Sequence, residues 1–314
     1  MINIKNYIGK KILRLIIILL VVSFLAFGLI YLSPSDPAEM MLSAQGISVS
    51  KELLQSKRIE LGLDKPFIEQ YFIWLGNVLK GNLGISYSSG MSVISEISEH
   101  MPYTVKLTLT SIITTLIISI PLGMISAVKK NKLIDYIIRG LCFIGNSIPG
   151  FFLGLVFLLI FALKLKMLPV LSESGIKSII LPTMTLSIPM ISKYTRQIRN
   201  TVIEEFNKNY VKGEISRGLK KKYIYLGILR NIMITLITLT GLSLGSLLGG
   251  SAIIESIFLW PGLGNMALSA IKMRDYPLIQ GYVIFTAFIF VVINLIIDLL
   301  YAILDPRIRK LRRK

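Results

Sequence analysis

Residues 12–31 carry no charge after Arg14 and are otherwise almost wholly apolar. Twenty residues at about 1.5 Å of rise each cover about 30 Å, the thickness of a bilayer's hydrocarbon core. Further apolar stretches follow at 104–128, 136–163, 176–192, 231–254 and 279–304. The second has Pro121 and Gly123 near its end, Pro149-Gly150 interrupts the third, and the short fourth holds Pro182 and Pro189. A backbone surrounded by lipid must satisfy its own hydrogen bonds, so these runs predict an all-α integral membrane protein of about six spans. The apolar core of the first run is longer than that of a secretory signal, and no small-x-small cleavage pattern follows it. It reads as an uncleaved anchor.

The formal net charge of +18 invites a nucleic-acid reading, but the charges sit at the ends of apolar runs and not on a soluble face. On the even-span topology, 24 of the 35 Lys and Arg residues fall on one side. They precede the first run, follow the second, fill 193–230 and close the chain. The positive-inside rule then predicts both termini in the cytoplasm and a multi-pass protein of the inner membrane. The single cysteine, Cys142, excludes an intramolecular disulfide, and the single histidine, His100, leaves little material for a metal site.

Two polar segments stand out. Residues 33–102 hold a helix-forming stretch at 50–61 and turn residues at Gly81-Asn82 and Ser89-Gly90, and read as an extracytoplasmic cap. Residues 193–230 are far longer than a turn requires. They carry ten basic residues and apolar positions at Tyr210, Val211, Ile215 and Leu219, spaced for one helical face, with Gly218 as a helix stop. Such a helix lies on lipid or docks in a groove of a soluble partner, and the pattern alone does not choose. The small residues of Gly241, Gly245, Gly249 and Gly250 predict a packing seam in the fifth span.

Tyr210-Val-Lys-Gly-Glu-Ile-Ser-Arg-Gly218-Leu219, followed by Leu229-Arg230-Asn231, resembles the cytoplasmic coupling loop of peptide/nickel ABC-importer permeases. The resemblance extends to Leu61-Gly-Leu-Asp-Lys-Pro66, Gln70-Tyr71, Trp74-Leu75 and Gly81-Asn-Leu-Gly84-Ile-Ser86. It continues through Gly249 to Gly264 with Glu255 and Trp260-Pro261-Gly262, then Arg274-Asp275-Tyr276-Pro277 and Asp305-Pro306-Arg307. Where the family usually has small residues, this chain has Gly213, Glu214, Ile215 and Ser216, and it lacks the usual proline near Thr235. That departure suggests a dedicated ATPase partner.

The resemblance implies a six-helix type I importer transmembrane domain, with a tail and first helix at 1–32, a cap at 33–102, a core at 103–304 and a basic tail at 305–314. It implies Tyr210, Val211, Lys212, Arg217, Gly218 and Leu219 as the surface that docks in a cleft of the ATPase. It also implies two cytoplasmic ATPase subunits, a second homologous permease chain and an extracytoplasmic solute-binding protein. No Gly-x-x-x-x-Gly-Lys-Ser/Thr run occurs, so the chain is read as a non-enzyme without cofactor, with ATP and Mg belonging to the partner ATPases. Ala44-Gln45-Gly46 and the block from Ser269 to Pro277 look more like nickel and metallophore members than like di- and oligopeptide permeases.

Glu255, before the Trp260-Pro261-Gly262 turn, is either a cation-attracting residue of the outer mouth or a carboxylate that caps locally. Trp260 is expected at headgroup level. Asn294 and Asp298 share a face of the sixth span, as pathway residues or as a structural pair. A secondary transporter or channel is the rival class. It would show inverted repeats, which are not evident, and would leave 193–230 without a role. A membrane enzyme would need clustered catalytic groups that the chain lacks.

Overall fold

The computed structural model describes residues 4–34, 36–44, 50–169 and 175–304. Gln45, Gly46 and the basic tail with Asp305-Pro306-Arg307 lie outside them. In chain order the helices are α1 (Ile4–Tyr31), α2 (Pro37–Ala44), α3 (Lys51–Glu60), α4 (Phe67–Leu79), α5 (Val93–Val128), α6 (Leu133–Ser147) and α7 (Gly150–Phe157). There follow α8 (Ile180–Phe206), α9 (Asn209–Ser216), α10 (Lys221–Gly250), α11 (Ala252–Ile257), α12 (Leu263–Met273) and α13 (Tyr276–Leu304). A π-helical turn, Leu158–Lys164, extends α7, and a 3-10 turn, Ile176–Ile179, leads into α8.

Leu13–Tyr31, Val93–Val128, Lys221–Leu248 and Tyr276–Asp298 are each long and apolar enough to cross a membrane. A fifth crossing arises if α6 and the Gly150–Lys164 segment count as one bent span. That pair bends by 97°, at the expected Pro149-Gly150 break, where proline removes a backbone donor and cannot continue the preceding helix. The expected fourth run departs from the reading. The helix there begins at Ile180, runs to Phe206 and carries too many polar and charged residues to match the other spans in apolarity. It buries Thr183, Thr185, Ser187, Ser192, Tyr194 and Thr195 against neighbouring helices, so its polar face is hidden by protein. The second span is also longer than expected. Its helix starts at Val93, eleven residues before the apolar run, because 93–103 mixes apolar and polar residues and has no helix breaker until Pro102, which α5 accommodates.

The chain divides into two compact units. The first comprises Met1–Thr104 and Pro261–Val292. Phe24, Phe27 and Tyr31 recur at helical spacing on α1 and meet Phe67, Tyr71 and Trp74 of α4, with ring centroids 4.9–5.7 Å apart in the closest pairs. The hydroxyls of Ser23 and Tyr71 add a hydrogen bond of 2.9 Å. Ser50 caps α3 by accepting the Leu53 N–H, as serine does at a helix start. The buried Asp275 carboxylate accepts from Ser86 Oγ (2.6 Å), Ser88 N–H (3.0 Å), Ser88 Oγ (2.9 Å) and the Leu278 N–H (3.3 Å). Two family-like motifs far apart in sequence, at 81–86 and 274–277, thus form one clasp. Beneath it lie Val93, Ile97, Leu263, Met266, Ala270 and Leu278.

The second unit comprises Val105–Trp260 and Ile293–Lys314. Its central rod is α8, which packs against α6, α7 and α10. Tyr194, Ile198 and Val202 recur every four residues along one face of α8 and meet Ile224, Ile228 and Ile232 of α10 in a common core. Tyr194 donates to Ser243 of α10 at 2.8 Å, and the hydroxyls of Thr110 and Thr183 pair at 3.0 Å between α5 and α8. At Gly123 an added Cβ would stand 2.7 Å from Ile198 Cβ and 3.1 Å from the Thr195 carbonyl, so glycine sets the approach of α5 to α8. Gly241 is similarly close to Ile297, in the expected seam. Trp260 is 3% exposed and packs with Leu107 and Ile179.

Candidate functional site

The segment read as a coupling loop is helical through most of its length. α8 continues beyond the apolar run to Phe206, two residues turn the chain into α9, and α10 starts at Lys221. The free element is α9, eight residues and about 12 Å long. Gly218 ends it in a Schellman arrangement. The Gly218 N–H donates to Ile215 O (2.9 Å) and the Leu219 N–H to Glu214 O (3.2 Å), with Gly218 at φ +74°. Only glycine takes that conformation without steric cost.

The four apolar positions of this segment do not share one environment. Val211 is fully buried in the core made by α8 and α10, and therefore anchors α9 from within. Tyr210 is partly buried beside it. Ile215 and Leu219 are exposed, together with Lys212 and Arg217. The outward surface of the elbow is thus two apolar side chains set among basic ones.

A carboxylate that the sequence reading passed over holds this elbow. Glu205, 5% exposed at the end of α8, accepts from Lys208 Nζ, from Tyr210 OH (2.6 Å) and from Asn231 Nδ2 (3.4 Å). Asn231 Nδ2 also donates to Tyr210 OH (2.8 Å). Three helices therefore meet at one charge. Burial pushes the Glu205 carboxyl up, but these donors outweigh it and hold it below its ordinary value. Burial, then the hydrogen bond to Glu205, pushes the Tyr210 phenol up to about 12.

A second clasp grips α8 six residues earlier. Arg199 makes a two-pronged ion pair with Asp135, Nε to Oδ1 and Nη2 to Oδ2, both 2.7 Å. Ser126 Oγ (2.6 Å) and the Asn131 N–H (2.9 Å) complete the buried carboxylate. The α5–α6 turn is thereby fixed to α8, and α8 is fixed to α9 and α10. α9 is therefore tied to α8 by side-chain hydrogen bonds and is not a slack loop.

The other candidates lie elsewhere. Glu255 is fully buried in α11 and accepts from Ser251 Oγ (2.9 Å). Asn294 and Asp298 are both partly buried on α13. His100 Nδ1 lies 2.9 Å from Glu96 O within α5, and Cys142 is buried in α6. No group of three His, Cys, Asp or Glu side chains suited to a metal ion occurs among the described residues.

An all-helical membrane bundle with a short clasped helix at the end of its central rod is the architecture of a type I importer transmembrane domain. The chain belongs to the family of binding-protein-dependent transport system inner membrane components, whose main domain matches residues 119–310 and whose N-terminal domain matches residues 4–108. It is 34% identical over 306 residues to the metal-staphylopine import system permease protein CntB of Staphylococcus aureus, covering 97% of this chain and 98% of that one. It is 34% identical over 305 residues to the glutathione transport system permease protein GsiC of Escherichia coli, covering 97% and 99%. Among solved structures, an inward-facing MetNI methionine ABC transporter matches 68% of this chain and 97% of its own, with a TM-score of 0.54 at 14% identity, a likeness of fold. The chain is thus an ABC importer permease and a multi-pass membrane protein, of a family that works with an ATPase and a substrate-binding protein.

Proposed function

We propose that the chain forms one half of a translocation pathway for nickel or a metal chelate, beside a second homologous permease. Two cytoplasmic ATPases, which bind the ATP and Mg, drive it, and an extracytoplasmic binding protein delivers the solute. Both termini and α9 face the cytoplasm, since most Lys and Arg residues fall on their side. The chain itself carries out no catalysis.

The observation that carries the mechanism is the clasped α9. Lys212, Ile215, Arg217 and Leu219 form the surface that enters a cleft on the ATPase, Gly218 shapes its edge, and Tyr210 and Val211 fasten it to α8 and α10. Closure of the ATPase pair on ATP moves α9, and α8 carries the displacement past the Asp135–Arg199 clasp into the spans. A ligand shifts a two-state equilibrium only through unequal affinity for the two states. Here the nucleotide supplies that difference outside this chain.

Likeness to the metal-staphylopine permease favours a metal chelate, and likeness to the glutathione permease supports a peptide-like solute as the second reading. Uptake of radiolabelled nickel, free and chelated, against uptake of a labelled dipeptide in a deletion strain separates them. Loss of nickel uptake with dipeptide uptake intact is the expected result, and the converse establishes the peptide reading.

A further inference from the structure

A cavity of about 570 Å3 opens between α6 and α8 in the half of each helix nearest the basic turns. Arg139, Gly140 and Phe143 of α6 line it, with Thr195, Arg196 and Arg199 of α8. Arg199 is neutralised by Asp135, whose two oxygens are fully engaged. Arg139 and Arg196 have no carboxylate within ion-pair distance among the described residues; Arg139 lies over the ring of its neighbour Tyr136. The cavity therefore holds two uncompensated guanidinium charges. Thr195 is 1% exposed, and its hydroxyl faces only the weakly polar Cys142 thiol, with no N or O partner among the described residues.

Beside this cavity, α6 presents Ile137, Leu141, Phe143 and Ile144, exposed by 52%, 64%, 70% and 55%. Arg139 lies about 9 Å along the helix from Leu133, a depth that a guanidinium at the membrane boundary reaches readily. A soluble anion would use only the charged part of this surface. A molecule with a phosphoryl head and apolar chains uses all of it, and guanidinium forks match phosphoryl oxygens in pairs.

We propose that this cavity binds the headgroup of an anionic phospholipid, its phosphoryl oxygens bridging Arg139 and Arg196 and accepting from the Thr195 hydroxyl, with the acyl chains along α6. The site is separate from the α9 surface and stands whether or not the transport reading does.

The test is the thermal unfolding midpoint of the purified full-length chain, with any subunits that copurify, in neutral detergent. Dioleoylphosphatidylglycerol, dioleoylphosphatidylcholine and inorganic phosphate are added in turn. Phosphatidylglycerol is expected to raise the midpoint by several degrees while the other two leave it unchanged. Arg139→Gln with Arg196→Gln should remove most of that rise. Lys129→Gln with Lys130→Gln, an equal loss of charge next to the same helices, should retain it. Should the arginine variant fail to fold, a photoactivatable phosphatidylglycerol on the unmodified chain should label α6 and α8. An equal rise with phosphatidylcholine, a rise with inorganic phosphate alone, equal loss in the lysine variant, or labelling away from α6 and α8 would each overturn the assignment.

Discussion

Glu205 is one of three carboxylates among the ten basic residues of 193–230, and it holds three helices at once. Replacing it with alanine takes the shared acceptor from Tyr210 and Asn231. A hydrogen bond to a charged group contributes about 1.5–3 kcal/mol. Glu205→Ala should lower the unfolding midpoint of the purified importer by several degrees, with a disproportionate loss of uptake, both measurable on one preparation. Asp135→Asn breaks the other clasp and leaves Arg199 largely buried without its counter-charge, a change of about 3–5 kcal/mol. It should therefore be the more damaging of the two. The sign of the pH dependence follows from the lowered value of Glu205. Its stabilisation is fully present above the ordinary carboxylate value of about 4.3 and is lost only as pH falls below it. Tyr210, raised to about 12, keeps its proton over the same range. Thermal scans of wild type and Glu205→Gln should therefore differ by a constant amount from pH 6 to 8 and converge in acid. Neither Glu205 nor Asp135 stood out in sequence, because a single carboxylate carries no periodicity and its partners lie on other helices.

At the scale of the element, legibility followed the number of residues that vote. The runs at 12–31, 104–128 and 279–304 each sum some twenty apolar side chains, and all three fall in helices of spanning length. The break at Pro149 was equally legible, since one proline suffices to end a helix. α8 was less so. Its threonines and serines are covered by neighbouring helices, and what covers a face is a property of the fold and not of the segment. The same limit separated Val211, inside the core, from Ile215 and Leu219, outside it. Gly218 was readable as a stop because glycine in that position has a local steric cause. Gly218→Ala forces an L-residue into φ +74° at a cost of about 1 kcal/mol, and a bulkier residue also intrudes on the docking surface. Gly218→Trp should leave membrane abundance near normal while ATP hydrolysis proceeds with little uptake. Normal uptake in that variant would count against a docking role for the α9 edge.

For the whole molecule, the family was legible from motifs scattered along nearly the full length, and the structure gives some of them a shared purpose. The Gly81 to Ser86 and Arg274 to Pro277 motifs make the Asp275 clasp, and the Tyr71 and Trp74 motif makes the aromatic contact with α1. The solute was not legible, since the described residues contain no three-residue metal-binding group and a chelate would require none. Transport as read here depends on force entering through a short helix whose exposed side chains touch another protein. The most direct measurement is the number of solute molecules imported per ATP hydrolysed in proteoliposomes holding the complete importer, with wild-type chain or with Ile215→Asp and Leu219→Asp together. The double variant should hydrolyse ATP with at least a tenfold lower import ratio, or lose its ATPase on purification. An import ratio equal to wild type, with the ATPase retained, would contradict coupling through α9.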